Sequence, residues 1–261
     1  MTSFGRFFKA TLNDKFRSTN FILLINIMAI FVSIIWSAVD GNFSKNSWFQ
    51  FTFTWSFLAI LIVFIRLTVL QERIYTRDSY RLVPIGDIKF YLANLASSFV
   101  GMIYALAVEF IMYFITIAIN WDDYSQALKM MAMMNGQRSN FEVSQLWGIV
   151  GIWLLMMLAL MLLTWTTINL IHLLSRTGSN FLPSTGRRVL NVVVYIVVIW
   201  AVLRIVSYIM STLNNSVNML SNSSDIWSFL LYILIYVVVA ALEAAGSIYL
   251  LHNWVETVSE S

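Results

Sequence analysis

The sequence predicts an all-α membrane protein with six transmembrane helices. Three observations carry that fold class. Hydrophobic residues make up 59% of the 261 residues and charged residues 11%, against roughly 45–50% and about 25% in soluble domains. Six apolar runs reach the ~20 residues that a helix needs to cross a hydrocarbon core of about 30 Å. Lysine and arginine gather in the connections on one side of those runs. A soluble fold of this size could not cover its surface with so few charges. Cysteine is absent, which excludes disulfide scaffolds, thiolate metal sites and cysteine nucleophiles. The two histidines, His172 and His252, are too few for a multi-histidine metal centre. They read as interfacial polar residues.

The elements follow in chain order. Residues 1–20 are expected to form an interfacial helix. On a wheel of 100° per residue, Phe4, Phe7, Phe8, Leu12 and Phe16 share one half, and Arg6, Lys9, Asn13 and Arg17 share the other. Such a helix lies in the headgroup layer. Lys15 is the exception to the pattern. The expected spans are Phe21–Val39, Phe51–Leu70, Ser97–Ile119, Leu146–Leu170, Val189–Ser211 and Trp227–Leu251. The runs are too continuous for a barrel, and helices alone satisfy backbone groups within each segment. Both prolines, Pro84 and Pro183, fall between spans, so no span carries a proline kink. The first run lacks an A-x-A site and is read as an uncleaved span. No repeat or low-complexity linker interrupts the chain, so residues 1–261 read as a single membrane domain.

Charge sets the orientation. Arg6, Lys9, Lys15, Arg17, Arg73, Arg77, Arg81, Lys89, Arg176, Arg187 and Arg188 fall on one side, against Lys45, Lys129 and Arg138 on the other. The positive-inside rule then places both termini in the cytoplasm. The same pattern suits a membrane surface and argues against nucleic acid as a partner.

The connection between the second and third spans is the most informative segment. From Gln71 to Leu92, Tyr75, Tyr80, Leu82 and Val83 interleave with Arg73, Arg77 and Arg81. Pro84 and Gly86 force a turn, and Asp87 is placed to N-cap the helix that runs onward. Two spans can be joined by four residues, so the length of this connection predicts a docking element.

The string SYRLVPIGDIKFYLANL after the second of six spans resembles the permease subunits of type-2 ABC exporters. In that family an interfacial helix precedes the first span, and a cytoplasmic coupling helix ends in a Leu-x-Pro turn and a lysine-bearing restart. The matching positions are Leu82, Pro84, Lys89, Tyr91 and Leu92. The likeness covers the whole chain in topology and about 20 residues in sequence. The chain departs from the family between the fifth and sixth spans. There the family often carries a large extracellular element, and here Thr212–Ile226 is short and polar. The longer outer loop is Asn120–Gln145, with Lys129-Met130-Met131-Ala132-Met133-Met134 inside it. Flexible thioethers adapt to varied apolar partners, so that run is either a lid or a short helix resting on the membrane or a neighbour.

The resemblance implies a bacterial plasma-membrane exporter with two ABC ATPase subunits and a second permease, the same chain or a different one. ATPase coupling would fall to Arg73, Tyr75, Arg77, Tyr80, Arg81, Leu82, Pro84 and Lys89. The chain itself holds no G-x-x-x-x-G-K-[ST], no G-x-S-x-G and no H-E-x-x-H, so it is expected to be no enzyme and to bind no cofactor. ATP and magnesium would sit on the partner ATPase. The expected substrate is amphiphilic: a peptide, an antibiotic or a lipid-like molecule. The alternative is a stand-alone six-span membrane binding or immunity protein without an ATPase.

Four ionisable residues fall inside spans: Arg66, Glu109, Arg204 and Glu243. Lipid exposure of such groups costs about 2.5–3.5 kcal/mol on the insertion scale. Counted at about 1.5 Å per residue, Glu109 and Arg204 lie at matching depths, and Glu243 and Arg66 match more loosely. The spacing predicts buried pairs that fix helix packing, with Arg66 free to snorkel to the inner surface. The competing reading is a charged pathway or gate.

Overall fold

A computed structural model describes residues 3–44, 46–76, 80, 82–119, 121, 125, 143–180, 192–193, 196–200, 202–204, 207, 211 and 225–253. Five long helices occupy most of them: α1 (Phe4–Val39), α2 (Ser47–Thr76), α3 (Asp87–Ile119), α4 (Val143–Asn180) and α5 (Asp225–Asn253). Each contains a stretch long and apolar enough to cross a membrane. The chain divides into two compact units, one of Met1–Tyr75 with Leu92–Glu142 and one of Thr76–Tyr91 with Val143–Ser261.

α1 runs unbroken for 36 residues, about 54 Å at 1.5 Å per residue, well beyond a hydrocarbon core of about 30 Å. Residues 4–20 are therefore continuous with the first span and do not form a separate interfacial helix. Ser3 caps the start, its side chain accepting from the Arg6 N–H. The end is a Schellman motif. Gly41 takes φ +71°, its N–H bonds Ala38 O at 3.3 Å, and the Asn42 N–H bonds Ser37 O at 3.1 Å. Gly41→Ala should cost about 1 kcal/mol, because a Cβ disfavours this left-handed conformation.

The inward stripe of α1 is Phe7, Thr11, Lys15, Thr19, Leu23, Asn26, Ile30, Ile34 and Ser37, one residue every three or four. Its outward face exposes Phe21, Leu24, Met28, Phe31, Ile35 and Trp36. Five of the nine inward residues are polar while the outward face is apolar, which suits a helix whose solvent is lipid. Hydrogen bonds order the first unit. Arg66 of α2 meets Ser18, and Trp55 meets Ser33, so α1 and α2 are antiparallel. Lys15 meets Asn94, and Asn26 meets Glu109, so α1 and α3 are parallel. α2 continues to Thr76, and α3 opens at Asp87 with Phe90 N–H bonding Gly86 O at 2.9 Å. Asp87 is thus the first helical residue and not the N-cap, and its carboxylate faces the positive end of the helix dipole. Only residues 77–86 separate α2 from α3, about half the connection expected from hydropathy.

In the second unit α4 packs along α5. Leu163 of α4 joins Ile235, Val239 and Ala240 of α5 in a buried cluster. Trp153 lies against Phe229, and Gly246 faces Leu170. Both sequences rise together along the contact, so α4 and α5 are parallel. Gly101 faces Leu67 in the first unit as Gly246 faces Leu170 in the second, and a Cβ at either would stand 3.5 Å from the leucine. Ala fits there, and its better helix propensity offsets any crowding. Gly101→Ala and Gly246→Ala should shift thermal unfolding in detergent little or slightly upward, where Gly41→Ala lowers it.

The expected fifth span, Val189–Ser211, is described only at residues 192–193, 196–200, 202–204, 207 and 211, all helical. The methionine run 130–134 lies outside the described residues.

Candidate functional site

Among the described residues, three buried polar clusters and one exposed turn carry the polar chemistry. The first cluster centres on Lys15, 0% exposed. Its Nζ lies 2.7 Å from each of Asn94 O, Asn94 Oδ1, Ser97 Oγ and Ser98 Oγ. An ammonium has three protons, so four oxygens share them. The serine hydroxyls donate in turn to Asn94 O at 2.8 and 3.4 Å, which leaves their lone pairs for the lysine. Asn94 Nδ2 donates to Gln71 O at 2.9 Å. Asn94 therefore ties α1, α2 and α3 together. Hydrogen bonds to a charged group contribute about 1.5–3 kcal/mol each, which offsets a desolvation penalty of several kcal/mol for the ion. Lys15 belongs to this interior, not to a basic face in the headgroup layer.

The second cluster centres on Glu109, farther along α3 by about 22 Å at 1.5 Å per residue. Oε1 accepts from Asn26 Nδ2 at 2.7 Å, and Oε2 accepts from Ser56 Oγ at 2.5 Å. Again one residue joins three helices. The third cluster centres on Glu243 of α5. Thr166 Oγ1 approaches Oε2 at 2.7 Å, and Thr167 Oγ1 approaches both carboxylate oxygens at 2.9 Å. Tyr91, Asn169 and Ser247 are buried in the same neighbourhood.

Within each unit, and among the described residues, the partners of the two carboxylates are neutral donors. Glu109 is held by an amide and a hydroxyl, and Glu243 by two hydroxyls. Arg66 is exposed and donates from Nε to Ser18 Oγ at 3.1 Å. Arg204 is exposed. Matching depths predicted a partner by charge alone. A short amide or hydroxyl on the facing helix satisfies a carboxylate oxygen without burying a second ion, whose desolvation costs several kcal/mol.

The expected coupling residues separate. Tyr75 is 1% exposed and takes a hydrogen bond from Gln71 Nε2 at 3.4 Å, so its ring is packing. Arg73 and Lys89 are exposed on the flanking helix ends, Tyr80 is half-buried and Pro84 is exposed. Leu82 is 82% exposed. Arg77 and Arg81 lie outside the described residues. His252 Nδ1 lies 2.7 Å from Asp87 Oδ2, so α5 ends against the start of α3. His172 accepts from Arg176 Nε at 3.0 Å. Among the described residues no group of three or more metal-ligating side chains occurs.

Sequence reasoning missed Asn26, Ser56, Asn94, Ser97, Ser98, Thr166 and Thr167. The available signal was spacing: Thr11, Lys15, Thr19 and Asn26 recur at helical intervals inside an otherwise apolar helix. No family model, curated protein or solved structure matches the chain.

Proposed function

We propose that this chain is the transmembrane subunit of an ATP-driven exporter of the ABC type, energised by separate ATPase subunits and working beside a second permease. The observation that carries the reading is Leu82. An exposed leucine at a turn, with Pro84 beside it and Arg73 and Lys89 on the flanking helix ends, suits a partly apolar groove with an acidic rim. That groove belongs to the ATPase in this reading. ATP binding there draws the turns of two permeases together, and the bundle exchanges one access state for another. The substrate is amphiphilic, and the membrane is a bacterial plasma membrane.

The helix directions support six spans. α1 and α3 are parallel, with α2 returning between them. α4 and α5 are also parallel, which is the arrangement a six-span chain requires of its fourth and sixth spans. The apolar run Val189–Ser211 supplies the length of the span between them. Six spans put both termini on one side, and the basic residues Arg6, Lys9, Arg17 and Arg73 make that side the cytoplasm. A reporter active only outside the cell, fused after Ser261, should stay silent.

The test of function is the double variant Tyr80→Ala with Leu82→Ala. It should insert and express normally while losing ATPase co-purification or transport coupled to ATP hydrolysis. Normal transport and normal ATPase association in this variant would overturn the coupling role. Purification of the wild type from native membranes without any ATPase would favour a stand-alone binding protein.

A further inference from the structure

The face between α1 and α2 carries a groove of about 460 Å³. Its walls are Ile22, Ile25 and Ala29 of α1 and Leu58 and Ile62 of α2. One end is polar: Arg66 and Ser18, joined by their hydrogen bond. Toward the other end lie Ala29 and Trp55. The groove spans residues 18–29 on one helix and 55–66 on the other. That is about 16 Å at 1.5 Å per residue, or roughly half of a 30 Å hydrocarbon core. One leaflet of a bilayer has that depth.

We propose that this groove binds one anionic phospholipid from the leaflet on the Arg66 side. The phosphate sits on the guanidinium of Arg66 with the Ser18 hydroxyl beside it, and one acyl chain fills the apolar trough toward Trp55. Three features select this occupant. Among the described residues that line the groove Arg66 is the one cation, and it stands at one end, as a headgroup requires. Nε–H of Arg66 is spent on Ser18, which turns the planar guanidinium and leaves its remaining N–H groups for a bidentate phosphate contact. Apart from Asn26, whose amide is held by Glu109, the trough between its ends is apolar, and it is as long as one leaflet's chain. A zwitterionic lipid carries the same phosphate beside a choline cation, which Arg66 repels. The proposal rests on the chain spanning a membrane and is independent of any ATPase.

The experiment is native mass spectrometry of the purified, delipidated chain after addition of equal amounts of phosphatidylglycerol and phosphatidylcholine. The wild type should retain one phosphatidylglycerol in about tenfold preference, the effect of roughly one charge-assisted contact. Arg66→Gln should bring retention down to that of phosphatidylcholine. Ala29→Leu, which narrows the trough and leaves the guanidinium alone, should lower retention of both lipids. Lys9→Gln, on the exposed basic face, should change nothing. Equal retention of the two lipids by the wild type would overturn the proposal, and so would an undiminished preference in Arg66→Gln. A second measurement needs no variant. Phosphatidylglycerol with a photoactivatable chain should crosslink to residues 18–29 and 55–66 of the wild type, and crosslinks confined to other segments would overturn the site.

Discussion

Asn94→Leu should lower the unfolding free energy by about 2–4 kcal/mol, one of the two largest losses expected in the first unit. The lysine loses a charge-assisted acceptor, about 1.5–3 kcal/mol, and α2 loses a neutral bond to Gln71 O, about 0.5–1.5 kcal/mol. The first loss exists only while Lys15 is present. Lys15→Met alone removes a desolvated ion together with its hydrogen bonds, so its net effect is smaller than the contacts suggest. In the Asn94→Leu background Lys15→Met should cost less than it does in the wild type, because one of the four oxygens around the ammonium is already gone. The two changes share a hydrogen bond, so a double-mutant cycle by detergent unfolding should show coupling of about 1–3 kcal/mol. Additive effects would mean that Asn94 and Lys15 do not solvate each other.

How much of this was legible in the sequence depends on what lipid hides. Val39 closes α1 where the first apolar run closes, because the Schellman turn at Gly41 ends the helix there. The expected break between an interfacial helix and a span at Phe21 is absent, since α1 runs on from Phe4. By contrast, α3 starts within one residue of where the sequence places its cap, at Asp87 and ten residues before the apolar run that opens at Ser97. Hydropathy marks the stretch inside the hydrocarbon, and helical hydrogen bonding continues past it into the polar layer. Lys15 was visible as an exception to the amphipathic wheel, and that exception was the signal. A wheel that seeks an apolar inward face misreads a helix whose polar residues point inward. Glu109 and Glu243 were recognisable as intramembrane carboxyl groups. Their partners were not, because serine, threonine and asparagine carry no charge by which depth can be matched. Tyr75 shows the converse: its alternation with basic residues read as an exposed face, while α2 carries it into the packing.

The carboxylates separate by hydrogen-bond accounting, and the separation yields the second large effect. Glu109→Leu should cost about 2–4 kcal/mol, because it leaves Asn26 Nδ2 and the Ser56 hydroxyl without their acceptor in a buried site, at about 1–3 kcal/mol per orphaned group. Glu243→Leu should cost about 1 kcal/mol or less. Thr166 Oγ1 already reaches Leu163 O at 2.9 Å, and Thr167 Oγ1 reaches Leu163 O at 2.9 Å. A hydroxyl has one proton, so each threonine falls back on its own helix when the carboxylate goes. Asn26 sits in no such fallback: its amide donates across to α3. Glu109→Gln tests the same logic from the other side. Its amide oxygen accepts from Asn26 and its nitrogen donates to Ser56 Oγ, so stability should stay within about 1 kcal/mol of wild type. Detergent unfolding of the three variants gives the comparison. Equal losses for Glu109→Leu and Glu243→Leu would show that the cost lies in the cavity left by each side chain and not in stranded donors, and the three-helix node at Glu109 would lose its energetic basis.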